Sequence, residues 1–209
     1  MSISFQNQPL TIIKLGGSLF DFPDLSKRLL QFLDRHQFEN PLIIPGGGKF
    51  ADEVRKLDQR NNLGNALSHE LGIRTLAISS RFVSGLSEKF YLATPNDLLA
   101  INTTLGKYPI ADVSEFVLEC CPLPNSWDVT SDSIAAWLAS LHPDSNLVLL
   151  KSLPLPVGLS LTQAAGLNLV DAEFPRVATT LKRVSWCHFR SNEPELIQWE
   201  MTAKDSQLS

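Results

Sequence analysis

Cysteine is scarce in this chain: there are three, Cys120, Cys121 and Cys187, in 209 residues. An odd count with one adjacent pair makes a poor disulfide framework, so a reducing, cytoplasmic setting is the simpler reading. Cys187 stands beside His188, but no second pair follows at metal-ligand spacing, and no protein metal site is expected. Basic charge is also short: 18 Lys and Arg face 22 Asp and Glu, for a net charge of −4. A nucleic-acid surface would normally be basic, so no nucleic-acid partner is expected. No apolar run approaches the ~18–20 residues that span a bilayer, so no membrane partner is expected either. The first ten residues, MSISFQNQPL, lack a basic segment and a long apolar core, which excludes a signal peptide. Internal repeats, low-complexity tracts and linkers are all missing. A hydrophobic content of 44% then suits one α/β domain, or one domain with a small lobe.

What is present is an alternation of strand and helix signals. Residues 11–15, Thr-Ile-Ile-Lys-Leu, read as a buried strand ended by glycine. Asp24 can cap a helix whose Leu25, Leu29, Phe32 and Leu33 recur at helical spacing. Asn40-Pro41 breaks it, and Leu42, Ile43 and Ile44 form the next strand. Phe50, Val54 and Leu57 predict a second helix. Residues 61–83 predict a third, with Leu67, Leu71, Ile78 and Phe82 on one broad side. Residues 84–97 read as loop-rich, and Phe116, Val117 and Leu118 read as a strand. Thr130 or Ser131 can cap a helix over about 132–141. Residues 147–150 are a clear buried strand ending at Lys151. Residues 154–175 carry a weak signal, 183–189 predict a last strand, and the tail from about 202 is expected to fray. This order favours a parallel sheet with right-handed crossovers.

Two glycine clusters interrupt the pattern, in "TIIKLGGSLFD" and "PLIIPGGGKFADEVR". Both follow strands, and ligands of open parallel sheets gather at carboxyl strand ends. Lys14, the 16–18 loop, the 46–48 loop and Lys151 should share that edge. Glycine leaves backbone N–H groups accessible, and the helix starts that follow favour negative charge. Lysine adds a point charge able to stabilise a transferring phosphoryl group. Familiar nucleotide motifs do not fit: Gly48-Lys49 is followed by Phe50 and position 43 is isoleucine, so there is no Walker pattern, and neither loop has G-x-G-x-x-G spacing.

Together "IIKLGGSL", "IIPGGGKFADEVR" and "WDVTSDSIAAWLA" resemble the amino acid kinase family over about residues 10–153. The short length, "VTSDSIAA" and the "LLKS" strand end look most like the archaeal-type branch acting on aminomethylfuran-methyl phosphate. The resemblance implies a three-layer αβα sandwich around a mainly parallel open sheet. Residues 10–145 would form the acceptor and phosphate-binding part, and 146–200 a shortened C-terminal nucleotide lobe. It implies Mg²⁺-ATP as cofactor, a small anionic acceptor and a homo-oligomer. By motif, Lys14 would neutralise the transferring phosphoryl, with Gly16, Gly17 and Ser18 on the ATP phosphates. Gly46, Gly47 and Gly48 would receive the acceptor. Asp132 would orient the lysines or help hold Mg²⁺. Asp52 and Arg55 are candidates for touching the substrate, against a solvated helix face. Ser68-His69 could face the pocket, the core or the surface, and Trp127 could cover a substrate ring or simply pack. Many family members end the strand after the aspartate helix with Thr-Asp and a glycine hairpin. Here Lys151-Ser152-Leu153-Pro154 stands instead, so Lys151 or Lys182 must supply the second active-site lysine. The alternatives are a ligand-binding subunit that has lost ATP turnover, and a kinase for a small carboxylate.

Overall fold

The computed structural model describes residues 10–94, 106–142 and 144–200. Seven strands form one sheet: β1 Thr11–Leu15, β2 Pro41–Pro45, β3 Phe90–Ala93, β4 Tyr108–Ala111, β5 Asn146–Lys151, β6 Val184–His188 and β7 Leu196–Gln198. Their order is β3-β4-β2-β1-β5-β6-β7, and every neighbouring pair is parallel except β6 with β7. The helices are α1 Leu25–His36, α2 Gly48–Asn61, α3 Asn65–Ser84, α4 Ser114–Cys120, α5 Ser131–Ser140, α6 Leu161–Gly166 and α7 Phe174–Ala178. A single 3₁₀ turn, Gly17–Leu19, follows β1.

Strand alternation sorts the side chains between the two faces of the sheet. Ile13 and Leu15 of β1 join Val148 and Leu150 of β5 in one core, against Leu25, Leu29, Phe32 and Leu33 of α1. Ile12, Leu147 and Leu149 join the other core, against Ile134, Ala135 and Leu138 of α5. Lys14 has the parity of Ile12, and Lys151 that of Leu147 and Leu149. Both lysines therefore leave the sheet on the face covered by α5. Among the described residues, no helix is long and apolar enough to cross a membrane.

Several sequence expectations need correction. Phe116, Val117 and Leu118 belong to helix α4, not to a strand. The Asp112 carboxylate accepts bonds from Ser114 N (3.1 Å) and Ser114 Oγ (2.6 Å), a local turn that starts a helix. Phe116 then stacks on Trp137 at 5.4 Å. Strand β3 lies inside the stretch read as loop. Asp24 stands at the start of α1 in a left-handed conformation (φ 57°), but its side chain makes no cap bond. The apolar stripes of α2 and α3 do not face the core. Phe50, Leu57, Leu67, Ile78 and Phe82 are exposed, and α2 has no buried residue. The face α3 buries includes Ser68, Thr75, Ser79 and Ser80. Small hydroxyl residues let this helix approach the sheet closely and bond to it: Ser80 Oγ donates to Ala111 O at 2.7 Å. The frayed tail lies outside the described residues.

Candidate active site

The carboxyl edge of the sheet gathers the chemistry. Lys14 Nζ lies 2.7 Å from Asp132 Oδ1, and Lys151 Nζ lies 2.6 Å from Asp132 Oδ2. Lys151 also donates to Leu169 O at 2.7 Å. The Lys151 contact is a directed hydrogen bond. The Lys14 contact is an equally close ion pair, and an ammonium with three protons keeps donors for another acceptor beyond this carboxylate. Asp132 sits in the first turn of α5, where a negative charge suits the helix dipole. Burial opposes its ionisation, but the two ammonium groups outweigh that and hold its carboxyl at about 2. Burial, with the like charge of Lys14, brings Lys151 down to about 8 despite Asp132.

The two glycine loops touch. A Cβ on Gly17 would lie 2.3 Å from Gly48 N, and Gly48 itself has φ +54°. Only glycine at both positions permits this approach. Not every glycine offers its amide, however. Gly16 N is committed to Leu150 O at 2.9 Å and Gly46 N to Leu15 O at 2.8 Å. Gly16 N–H continues the sheet's bonding, so the expected contact of Gly16 with the ATP phosphates is not made through that amide. Gly17, Ser18, Gly47 and Gly48 stand at helix starts, where amides lack an intrahelical partner. Arg190 secures the first loop, donating to Ser18 O at 2.7 Å and Asp21 Oδ1 at 2.5 Å. Ser18 Oγ donates to Ser152 Oγ at 3.1 Å, joining that loop to the end of β5.

A cavity of about 370 Å³ opens beside the loops, lined by Gly17, Ser18, Gly46, Gly47 and Gly48 at one end. Asp52 and Arg55 line it too, bonded to each other at 3.2 Å. Its wall is Trp127, fixed on three sides. The indole N–H donates to Asp58 Oδ2 at 3.0 Å, Arg55 lies 4.5 Å over the ring, and Gly72 abuts its edge. His69, Ile73, Leu76 and Val129 also line it. The volume is at the small end of the roughly 300–1,000 Å³ typical of small-molecule sites.

Lys182 is not part of this site. It precedes β6, at the amino edge of the sheet, and pairs with Asp144 at 2.9 Å on the surface. In a parallel sheet a residue before a strand and a residue ending one lie at opposite edges, which separates Lys182 from Lys151. Thr130 takes the capping position of α5 but makes no side-chain cap. The residue that does the work was missed in the sequence: Asp171. Its carboxylate accepts from Thr130 N (2.9 Å), Thr130 Oγ1 (2.7 Å), Ser133 N (3.0 Å), Ser133 Oγ and Phe174 N (3.0 Å). Burial, then the nearby Asp132 charge, push its carboxyl up, against the pull of these donors. The signal was "VDAEFP", an aspartate just before a proline-bearing helix start.

The architecture is the amino acid kinase fold. It matches the uridylate kinase of Archaeoglobus fulgidus with TM-score 0.58 at 13% identity, over 84% of this chain and 89% of that one. It also matches the UMP kinase of Bacillus anthracis with TM-score 0.56 at 14% identity, over 92% and 100%. In sequence, the chain is 34% identical over 136 residues to the [5-(aminomethyl)furan-3-yl]methyl phosphate kinase of Methanocaldococcus jannaschii. That match spans 62% of this chain and 60% of the relative's length. No protein-family model matches the chain. The resemblance read from the three motifs is borne out: in fold this chain is similar to kinases of small phosphate esters, and in sequence to a furan phosphate kinase.

Proposed function

We propose that this chain is an ATP-dependent kinase that moves the γ-phosphoryl group onto a small anionic acceptor. The acceptor class is a phosphate monoester such as aminomethylfuran-methyl phosphate, and the step serves assembly of a methanofuran-type one-carbon cofactor. The observation that carries this reading is the Lys14–Asp132–Lys151 cluster beside two touching glycine loops. An acceptor phosphate oxygen attacks the γ-phosphorus. The new P–O bond forms as the bond to the β–γ bridging oxygen breaks, and ADP leaves with the electron pair. Lys14 and Lys151 offset charge on the transferring group while Asp132 fixes both ammonium groups, so the work is positioning and electrostatics. Gly17 and Ser18 serve the ATP phosphates, and Gly47 and Gly48 the acceptor. Among the described residues, no three His, Cys, Asp or Glu side chains group as metal ligands. Mg²⁺ brought with ATP would offset phosphate charge, with Asp132 the residue that would help hold it. The acceptor cavity is lined within residues 17–134, which supports residues 10–145 as the acceptor part and 146–200 as the nucleotide lobe. Three free cysteines agree with a cytoplasmic setting.

The test is ADP release from Mg²⁺-ATP with a panel of small phosphates and carboxylates. ADP formed with the furan phosphate supports the reading. Binding of the acceptor without ATP binding or turnover supports a ligand-binding subunit instead.

Lys151 makes a pH prediction with two opposite signs. Its folded value, about 8, lies below the ordinary ~10.4 of a lysine. The unfolded chain then binds more protons between those values, so stability rises with pH across about 8 to 10. ATP capture needs the charge and falls across the same window. The melting-temperature gap between wild type and Lys151→Met should narrow or invert in favour of wild type from pH 8 to 10, while kcat/KM for ATP declines.

The exposed apolar side chains of α2 and α3 support a homo-oligomer, since large apolar side chains left on a surface are candidates for an interface. Leu57→Glu combined with Ile78→Glu should shift the mass measured by light scattering from a multiple of the chain mass to that of one chain. An unchanged mass would count against this surface as the contact.

A further inference from the structure

Helix α3 runs along the cavity and meets it at three levels. At the first, Ser79 Oγ donates to Gly47 O at 3.4 Å, and Thr75 Oγ1 lies where a Cβ on Gly47 would be 2.6 Å away. At the second, Gly72 abuts Trp127: a Cβ there would come within 3.0 Å of the indole. At the third stands His69, 94% buried by its 6% exposure, yet lining the cavity. Its Nδ1 lies 3.0 Å from Ser126 O. A carbonyl oxygen can only accept, so Nδ1 carries the proton. Burial disfavours the imidazolium. The neutral ring therefore leaves a lone pair at Nε2, which has no hydrogen-bond partner among the described residues, on a side chain that lines the cavity.

We infer that His69 sets acceptor specificity: its Nε2 receives a hydrogen-bond donor, an amine or a hydroxyl, at the end of the acceptor remote from its anionic group. The inference rests on the reading above in placing the anion at Gly47–Gly48. From Thr75 to His69 is six residues, about 9 Å of helix. One small ring between anion and donor covers that span, with Trp127 as its wall. His69 is too far from the transferring phosphoryl to exchange protons with it, so it selects the acceptor and takes no part in the chemistry. Neutral histidine suits a donor and leaves a bare methyl facing an unpaired acceptor, a mismatch worth about 10-fold or more in affinity.

The experiment is calorimetric titration of the full chain, without nucleotide, with three ligands. These are aminomethylfuran-methyl phosphate and its analogues with hydroxymethyl or methyl in place of aminomethyl. Wild type should bind one of the two donor-bearing ligands at least about 10-fold tighter than the methyl analogue, and which one identifies the donor. His69→Phe should lose that preference while keeping the affinity for the methyl analogue, which also reports a folded cavity. His69→Gln, which restores an acceptor, should recover part of the preference. Equal ratios in wild type and variants would overturn the inference, as would failure of wild type to bind any of the three. ADP assays on the same proteins separate the two readings. Turnover with no donor preference sinks the role of His69 alone, and a His69-dependent preference without ADP sinks the kinase reading alone.

Discussion

Lys14→Ala is expected to cut phosphoryl transfer steeply while ATP still binds. Lys14 is only 5% exposed, next to last in β1 and two residues before the glycine loop. Its ammonium is held by the Asp132 carboxylate at 2.7 Å and keeps further N–H donors for charge that develops during transfer. Removing a single preorganised donor of this kind typically costs ~10²–10³ in kcat. The loss should fall on kcat and leave the KM for ATP within a few fold, because the interaction is made mainly in the transition state. Lys14→Arg should not restore activity. A planar guanidinium cannot occupy a buried site shaped for a compact ammonium without moving Asp132. Steady-state kinetics, with calorimetric ATP binding on the same variants, checks both parts. A Lys14→Ala enzyme with near-normal kcat would remove Lys14 from the reaction.

Asp132→Ala carries the second large effect, and it acts on folding as well as on activity. The carboxylate is the shared counter-ion of two buried ammonium groups. Deleting it leaves Lys14 and Lys151 to repel each other in a poorly solvated site. Breaking a buried pair by removing one partner typically costs ~3–5 kcal/mol, a large share of the stability of a domain this size. The start of α5 is not lost with it, because Asp171 supplies the cap, so the penalty reports the charges. Asp132→Asn, which keeps the shape and an acceptor oxygen, should recover part of the stability and little of the activity. Acid has the same target. With a folded value of about 2, Asp132 contributes stability that is present above the ordinary ~3.9 and lost as pH falls through 2. Urea unfolding of the three proteins at neutral pH gives the direct comparison, and a cost below about 1 kcal/mol for the alanine variant would mean the cluster is solvated.

The part of this site that was legible in the sequence was legible through strand parity. Lys14 follows Ile12 by two, and Lys151 follows Leu149 by two. A parallel pairing of β1 with β5 then delivers both lysines to one face at one edge. The glycine clusters declared themselves by following strands directly. The choice between Lys151 and Lys182 needed one further fact: the last strand, read over 183–189, pairs parallel with β5 and so puts Lys182 at the opposite edge, and the weak signal over 154–175 hid the crossover that makes it parallel. The hold of Asp171 on the start of α5 was invisible for a related reason. Asp171 caps a helix some forty residues earlier in the chain, and capping rules look only at neighbours in sequence. Helix α3 misled in another way. Its apolar stripe is conspicuous, yet the face it buries carries serine, threonine and histidine beside Ile73, Leu76 and Val83. Closeness to Gly47 and Ala111 matters there more than apolar area, and a hydrophobic pattern cannot express closeness. The same helix face carries His69, which is why that residue read equally well as core.

The account stands on one product. Wild-type protein with Mg²⁺-ATP and aminomethylfuran-methyl phosphate, followed by phosphorus NMR, should show the γ-phosphorus of ATP disappearing. A pair of coupled resonances from a new diphosphate ester should appear with ADP. The acceptor's monoester resonance should fall in step, and none of this should occur with Lys14→Ala. Persistence of the monoester resonance with wild type, while ATP stays intact or yields only inorganic phosphate, would contradict the proposed transfer.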